Sequence, residues 1–252
     1  MAEAIISGIT ESHDQLQVLV SDIDIKRTQL LEESYGTITV ESIKSICEQA
    51  DIIILAVKPQ IVKYVLANNQ EFFTNSHLVI SIAAGISLSN LKTMIPKAKI
   101  VRVMPNIPAL IGYGASVLTS LEINQEEHLL VEEIFKSVGH VYWMDEKYFD
   151  AVTSLSGSGP AYVYLFIEAM IDAGVNEGLP RDIARKLALD TVIGSAMMVD
   201  FTGKHPGELK DMVTSPGGTT IRAVEVLEER GFRNAILKAI AAAAKRSREL
   251  GE

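Results

Sequence analysis

Ser215-Pro216-Gly217-Gly218-Thr219-Thr220 is the segment of this 252-residue sequence best suited to hold an anion. Its adjacent glycines let backbone N–H groups converge. The helix expected from Ile221 to Glu229 points the positive end of its dipole at the same place. Such a loop takes a carboxylate or phosphate without an arginine, and Thr219 and Thr220 add hydroxyls. A capped helix start would use the same residue types, but a cap needs one Ser or Thr and no glycine pair, so binding is favoured.

A second group of residues falls at the ends of expected strands. Ala56-Val57-Lys58-Pro59 closes an almost purely aliphatic strand, Asp51 to Val57, where proline stops the strand and turns the chain. Ala83-Ala84-Gly85 closes the next strand, and Arg102-Val103-Met104-Pro105-Asn106 closes a third. Carboxyl ends of strands in open α/β sheets rim the ligand crevice, and small residues there let a flat cofactor approach the backbone. Singly each is also an ordinary strand exit; three in series favour a rim. Ser21 and Asp22 end a short strand. Asp22 follows Ala2 by 20 residues, the spacing of an acid that accepts from a ribose hydroxyl. A solvated turn accounts for it equally well. Ser156-Gly157-Ser158-Gly159-Pro160-Ala161-Tyr162 reads first as a helix–helix turn and second as a wall of the active site.

Other candidates carry less. His13, His77, His128, His140 and His205 are scattered without ligand spacing, so no metal site is assigned. Cys47 lies among Ile43, Ile46 and Ala50 at helical spacing and reads as core rather than nucleophile. Lys245-Arg246-Ser247-Arg248 suits a solvated last turn of a helix.

These segments need elements to position them. Helices are expected over Met1–Thr10, Ile25–Tyr35 (closed by Gly36), Ile43–Gln49, Leu88–Met94 and Gln125–Val138. Strands are expected over Leu16–Val20, Asp51–Val57, Leu78–Ile82 and Ile100–Val103, with Gly114–Leu118 and His140–Trp143 as late or edge strands. Alternation of this kind implies a doubly wound α/β domain over residues 1–144. From Asp145 only helical patterns follow: Glu146–Leu155, Ala161–Gly174, Arg181–Phe201, Pro206–Val213, Ile221–Arg230 and Arg233–Glu249. Residues 145–252 therefore read as an all-α domain. Its helices are apolar on more than one face and call for a second layer, such as another subunit.

The composition, 48% hydrophobic and 22% charged, is that of a globular protein with a sizeable core. A net charge of −9 argues against nucleic acid or an anionic membrane surface as partner. The most apolar stretches, Ala161–Val175 and Leu187–Phe201, contain acids and fall short of a bilayer span. One cysteine excludes an internal disulfide and fits a reducing cytoplasm. The sequence opens directly in a helix and contains no G-x-G-x-x-G turn. The expectation is that Met1 stands inside such a glycine loop, with a first strand upstream.

In order along the chain, these segments resemble pyrroline-5-carboxylate reductase from Met1 to Gly251. The most specific part is Leu209–Glu228, with its Ser-Pro-Gly-Gly-x-Thr loop and following helix; Ala56–Pro59, Met104–Ala109 and Ser156–Tyr162 support it. The resemblance implies a Rossmann-like cofactor domain whose first strand is missing, followed by an all-helical dimerisation domain. It implies reduction of 1-pyrroline-5-carboxylate to L-proline by NADPH or NADH. It also implies a homodimer with the active site between one subunit's cofactor domain and its partner's helical domain, and a decamer of dimers arranged in a ring. By the same match Ser215, Gly217, Gly218, Thr219 and Thr220 bind substrate, with the Thr220 hydroxyl near the imine nitrogen. Ser21, Asp22, Ala56, Val57, Lys58, Pro59, Ala83, Ala84, Gly85 and Asn106 line the cofactor. Ile107 departs from the pattern, standing where threonine follows Met-Pro-Asn in the family. Two other readings stand beside this one: a truncated, catalytically weak chain that serves as an assembly partner, and a related two-domain dehydrogenase of another small acid.

Overall fold

In the computed structural model, residues 1–12 and 15–251 are described; His13 lies outside them. The chain divides into two compact units, Met1–Ser158 with Ala243–Glu252, and Gly159–Ala242.

The first unit runs α1 (Ala2–Ser12), β1 (Leu19–Val20), α2 (Ile25–Tyr35), β2 (Ile38–Thr39), α3 (Ile43–Gln49), β3 (Ile52–Leu55), α4 (Pro59–Ala67), β4 (Leu78–Ser81), α5 (Leu88–Met94), β5 (Lys99–Met104), β6 (Gly114–Leu121), α6 (Gln125–Lys136) and β7 (Gly139–Trp143). Strands β3 to β7 form one sheet in that order. β3, β4 and β5 are parallel, while β6 is antiparallel to β5 and parallel to β7. β6 is therefore internal, and of the two late strands β7 alone is an edge, with β3 at the opposite end of the sheet. β1 and β2 form a separate parallel ladder. Among the described residues no strand pairs with the other side of β1. The strand expected over Leu16–Val20 accordingly shrinks to its last two residues, and Leu16 is exposed.

Period-two alternation builds the layers. Leu78 and Ile80 of β4 and Val101 and Val103 of β5 pack with α1 and α6 through Ala4, Ile5, Ile9, Val131, Ile134 and Phe135. Val79 and Ile100 face the other way, into a cluster with Cys47, Val62, Leu66, Leu88 and Leu91 from α3, α4 and α5. Helices on both faces of a largely parallel sheet are the doubly wound arrangement. Burial pushes the Cys47 thiol up from its ordinary pKa, with the Glu48 charge adding to it, as suits a core cysteine. Beside the sheet, the His128 ring of α6 stacks on the Trp143 ring of β7 at 3.8 Å, and Trp143 Nε1 donates to Glu132.

Local chemistry sets the helix ends. Asp24 caps α2, accepting from Lys26 N, and Gly36 closes it at φ 65°. α6 begins with a reciprocal box in which Asn124 and Glu127 each accept the other's backbone N–H. α4 lies where the sequence suggested only a turn: Pro59 is its first residue, a position where the missing N–H costs nothing.

After β7 the segment expected as one helix from Glu146 to Leu155 breaks into three. A 3₁₀ turn (Glu146–Tyr148) leads into α7 (Phe149–Val152), then a π-helical turn (Thr153–Gly157) closed by Ser158 N donating to Thr153 O at 2.8 Å. The change of pattern at Met144 coincides with the end of the sheet, but these turns pack with the first unit, which extends to Ser158.

The second unit contains α8 (Gly159–Asn176), α9 (Arg181–Thr202), α10 (Pro206–Met212), α11 (Thr219–Glu229) and the start of α12 (Phe232–Gly251). Among the described residues of this unit only Ala184 and Ala188 are buried, where α8 and α9 meet. No helix, among the described residues, is long and apolar enough to cross a membrane.

Candidate active site

Because β3, β4 and β5 are parallel, their carboxyl ends share one edge of the sheet. The Ile82 N–H donates to Leu55 O at 3.2 Å, which sets Ala56–Pro59 beside Ala83–Gly85. Lys58 occupies the cap position of α4 without a side-chain cap bond, so the first N–H groups of that helix have no side-chain acceptor there. Gly85 has φ 77°, open to glycine without strain. A β-carbon on it would also come within 3.4 Å of the Leu250 carbonyl oxygen in α12. Together with Thr153, Ser158, Arg246 and Leu250, Ala84 and Gly85 line a cavity of about 220 Å³.

Ser21 and Asp22 lie exposed after β1. Asp22 Oδ1 accepts from Asp24 N at 2.9 Å, a local turn that fixes the carboxylate at the strand's end. Neighbouring Arg27 donates to Glu3 at 3.0 Å.

Asn106 follows β5. Its Oδ1 accepts from Ala115 N at 2.9 Å, and its Nδ2 donates to Ser156 O and Oγ at 3.3 and 3.4 Å. Ile107 begins a 3₁₀ turn, half exposed. Close by, Arg102 is nearly buried; its Nη1 donates to Glu146 Oε1 at 2.7 Å, and its guanidinium lies 4.6 Å from the centre of the Phe149 ring.

In the second unit, the Ser215–Thr220 loop runs into α11. Gly217 has φ 68°. A β-carbon on Gly218 would fall 2.3 Å from Ser215 Oγ, so only glycine lets that hydroxyl lie against the loop. Gly218 is the cap residue, with no side chain to occupy the first N–H groups of α11. Those uncapped N–H groups and two hydroxyl-bearing residues share the first turn of α11, a set of groups that can take a carboxylate. Helix α11 starts at Thr219, two residues before the expected Ile221, so both threonines stand in its first turn.

The structure thus gathers Ala56–Pro59, Ala83–Gly85 and Asn106 at one edge of the first unit, with Ser21 and Asp22 at the end of the separate β1–β2 ladder. The loop at Ser215–Thr220 is a site within the second unit. Sequence reasoning missed Arg102 with Glu146 and Asp150 with Ser247, whose hydroxyl donates to Asp150 at 2.6 Å. Each pair is distant along the chain and carries no local signature. Among the described residues no group of His, Cys, Asp and Glu is placed to hold a metal ion.

Residues 146–250 match the family model for pyrroline-5-carboxylate reductase dimerisation, and residues 1–85 match the model for NADP oxidoreductase, coenzyme F420-dependent. The pyrroline-5-carboxylate reductase of Pisum sativum is 44% identical, over 99% of this chain and 92% of its own. That of Synechocystis is 43% identical, over 100% and 95%. The crystal structure of the Plasmodium falciparum enzyme with NADP bound superposes with TM-score 0.91 at 35% identity, covering 99% of this chain and 94% of that one.

Proposed function

Because the chain belongs to the pyrroline-5-carboxylate reductase family, we propose that it reduces 1-pyrroline-5-carboxylate to L-proline at the expense of NADPH or NADH. The observation that carries this reading is the start of α11, where two glycines and an absent side-chain cap leave N–H groups and two threonine hydroxyls to a small carboxylate. Ser215, Gly217, Gly218 and Thr219 hold that carboxylate. The Thr220 hydroxyl orients the ring nitrogen and supports its proton.

The rim of the first unit fits a nicotinamide cofactor: small residues and a left-handed glycine at adjacent parallel strand ends leave the backbone open to a flat ring. Ala56, Val57, Lys58, Pro59, Ala83, Ala84 and Gly85 line it, Asn106 stands beside it at the end of β5, and Ser21 and Asp22 meet the ribose. When bound, the cofactor supplies the hydride taken up by the imine carbon. The chain's own residues contribute position: they hold two flat molecules face to face, which is worth several powers of ten in rate. Asp22 accepts from ribose hydroxyls and repels an added phosphate, which favours NADH, while Lys26 and Arg27 nearby act in the other direction.

Functionally the chain divides into a cofactor domain, 1–144, and a helical dimerisation and substrate domain, 145–252. The helical domain makes a homodimer, and dimers assemble into a ring, a decamer of dimers. The enzyme works in the cytoplasm, without nucleic acid as partner. The test is to mix the protein with 1-pyrroline-5-carboxylate and either reduced cofactor, following loss of reduced nicotinamide and formation of proline. Proline should form with both, faster per molar cofactor with NADH; no proline with either overturns the reading.

A further inference from the structure

Residues two apart along a strand share one face. On β5 and its exit, Arg102, Met104 and Asn106 do so, and each meets the same segment, Glu146–Gly157. Arg102 is held by the Glu146 carboxylate, which also accepts from Leu88 N at 2.7 Å. Met104 packs on Val117, Phe149 and Val152. Its Cε occupies the place a β-carbon on Gly157 would need, 2.4 Å away. Asn106 ties Ala115 on one side to Ser156 on the other, so both ends of its carboxamide are engaged within the protein. The segment it grips is the π-helical turn, an irregularity that tends to mark functional sites. From this turn, Thr153 and Ser158 line the cavity that Ala84 and Gly85 bound from the end of β4.

We infer that Asn106 is a positioning residue. It acts on the reaction through Ser156, by fixing the π-helical turn and with it the wall formed by Thr153 and Ser158 opposite Ala84 and Gly85. It does not touch the cofactor. This rests on the reading above that the rim holds the cofactor, and it narrows that reading for one residue. A free carboxamide would be turned to a ligand; this one has Oδ1 turned to the Ala115 N–H and Nδ2 directed at Ser156. The two chain segments it joins are fifty residues apart, and it is the one of the three ties that reaches Ser156 itself through its carboxamide.

The test compares Asn106→Ala and Asn106→Asp with the wild-type chain in three measurements: affinity for NADPH, kcat and KM for the imine, and hydrogen exchange at Ala115 and over residues 153–158. Asn106→Ala should leave the NADPH Kd within about twofold while kcat falls about 10- to 100-fold, the scale of a small misplacement. Exchange should rise at Ala115 and in the turn but not in β3 or β4. Asn106→Asp should be worse than alanine in kcat and exchange, because it sets a carboxylate oxygen against the Ser156 carbonyl where a donor stood. A contact with the cofactor would instead weaken NADPH binding about tenfold, one lost hydrogen bond, with exchange unchanged; that result overturns the inference. So does an unchanged kcat. A wild-type chain that binds NADPH yet reduces no imine would overturn the proposed function, and the affinity and exchange measurements would still decide the role of Asn106.

Discussion

The two units of this chain spend their apolar residues in opposite ways. In the first, Val62, Leu66, Ile80, Leu91, Phe135 and Leu118 are wholly buried between sheet and helices. In the second, Leu165, Met197 and Phe201 stand 68%, 64% and 92% exposed on α8 and α9, and the buried residues are two alanines. The first unit makes its own core. The second leaves large apolar side chains to solvent along its helices, as a dimerising helical domain would. A sequence can therefore be equally apolar in two regions and mean fold in one and assembly in the other.

The comparison breaks most visibly at assembly. Met197→Glu with Phe201→Glu places two charges one turn apart on α9. If these residues anchor the dimer, each is worth about 2–4 kcal/mol, and sedimentation should show association weakened by on the order of a thousandfold or more. The same replacement at Tyr64, an exposed aromatic of the first unit, should leave the oligomer intact. A dimer that survives the double change places the interface elsewhere.

Phe135→Ala tests the other half. Its ring is fully buried against α1 and the sheet, and the truncation should cost about 3–5 kcal/mol, read as a lowered Tm at every protein concentration. Leu187→Ala, half exposed on α9, should stay within about 0.5 kcal/mol once the α9 double variant has removed assembly.

Thr220→Ala should lower turnover about 10- to 1,000-fold, the range for one transition-state hydrogen bond. Tm and sedimentation should not change, since the hydroxyl supports neither core nor interface. An unaltered rate would take Thr220 out of the mechanism.

The smallest effect concerns acid. Burial alone would raise the Glu127 carboxyl, but the Lys99 ammonium and the Asn124 N–H bound to it together hold it below its ordinary value. A carboxyl with a depressed folded pKa stabilises fully above its ordinary value of 4.5 and loses that stabilisation as pH falls through the lower folded one. Thermal melts of Glu127→Gln should therefore show a Tm reduced by about 2–4 °C near neutrality, with the gap to wild type closing in acid. A gap that stays constant with pH would assign the loss to the helix cap alone.

Much of this was legible beforehand, for reasons particular residues supply. Helix α2 could be bounded at both ends because Asp24 and Gly36 are specific to helix termini. The glycine turn that opens α11 could be placed because paired glycines before a threonine-led helix mark its start. β1 was overestimated because strand length depends on a neighbour that periodicity does not reveal. α4 escaped because Pro59 after an aliphatic strand signals a stop as readily as a first helical turn; Val62 and Leu66, four apart and buried, were the available clue. The three-part break at 146–157 and the Arg102–Glu146 pair were not legible, since both arise from contacts far apart in sequence.

Trp143 is the sole tryptophan of the chain, and it lies in the first unit, stacked on His128. Its emission is therefore a private optical channel. Loosening the layer between α6 and β7 should shift it to the red. The helical unit is silent in that channel, so comparing emission with far-ultraviolet dichroism separates melting of the cofactor domain from melting of the assembly without any added label.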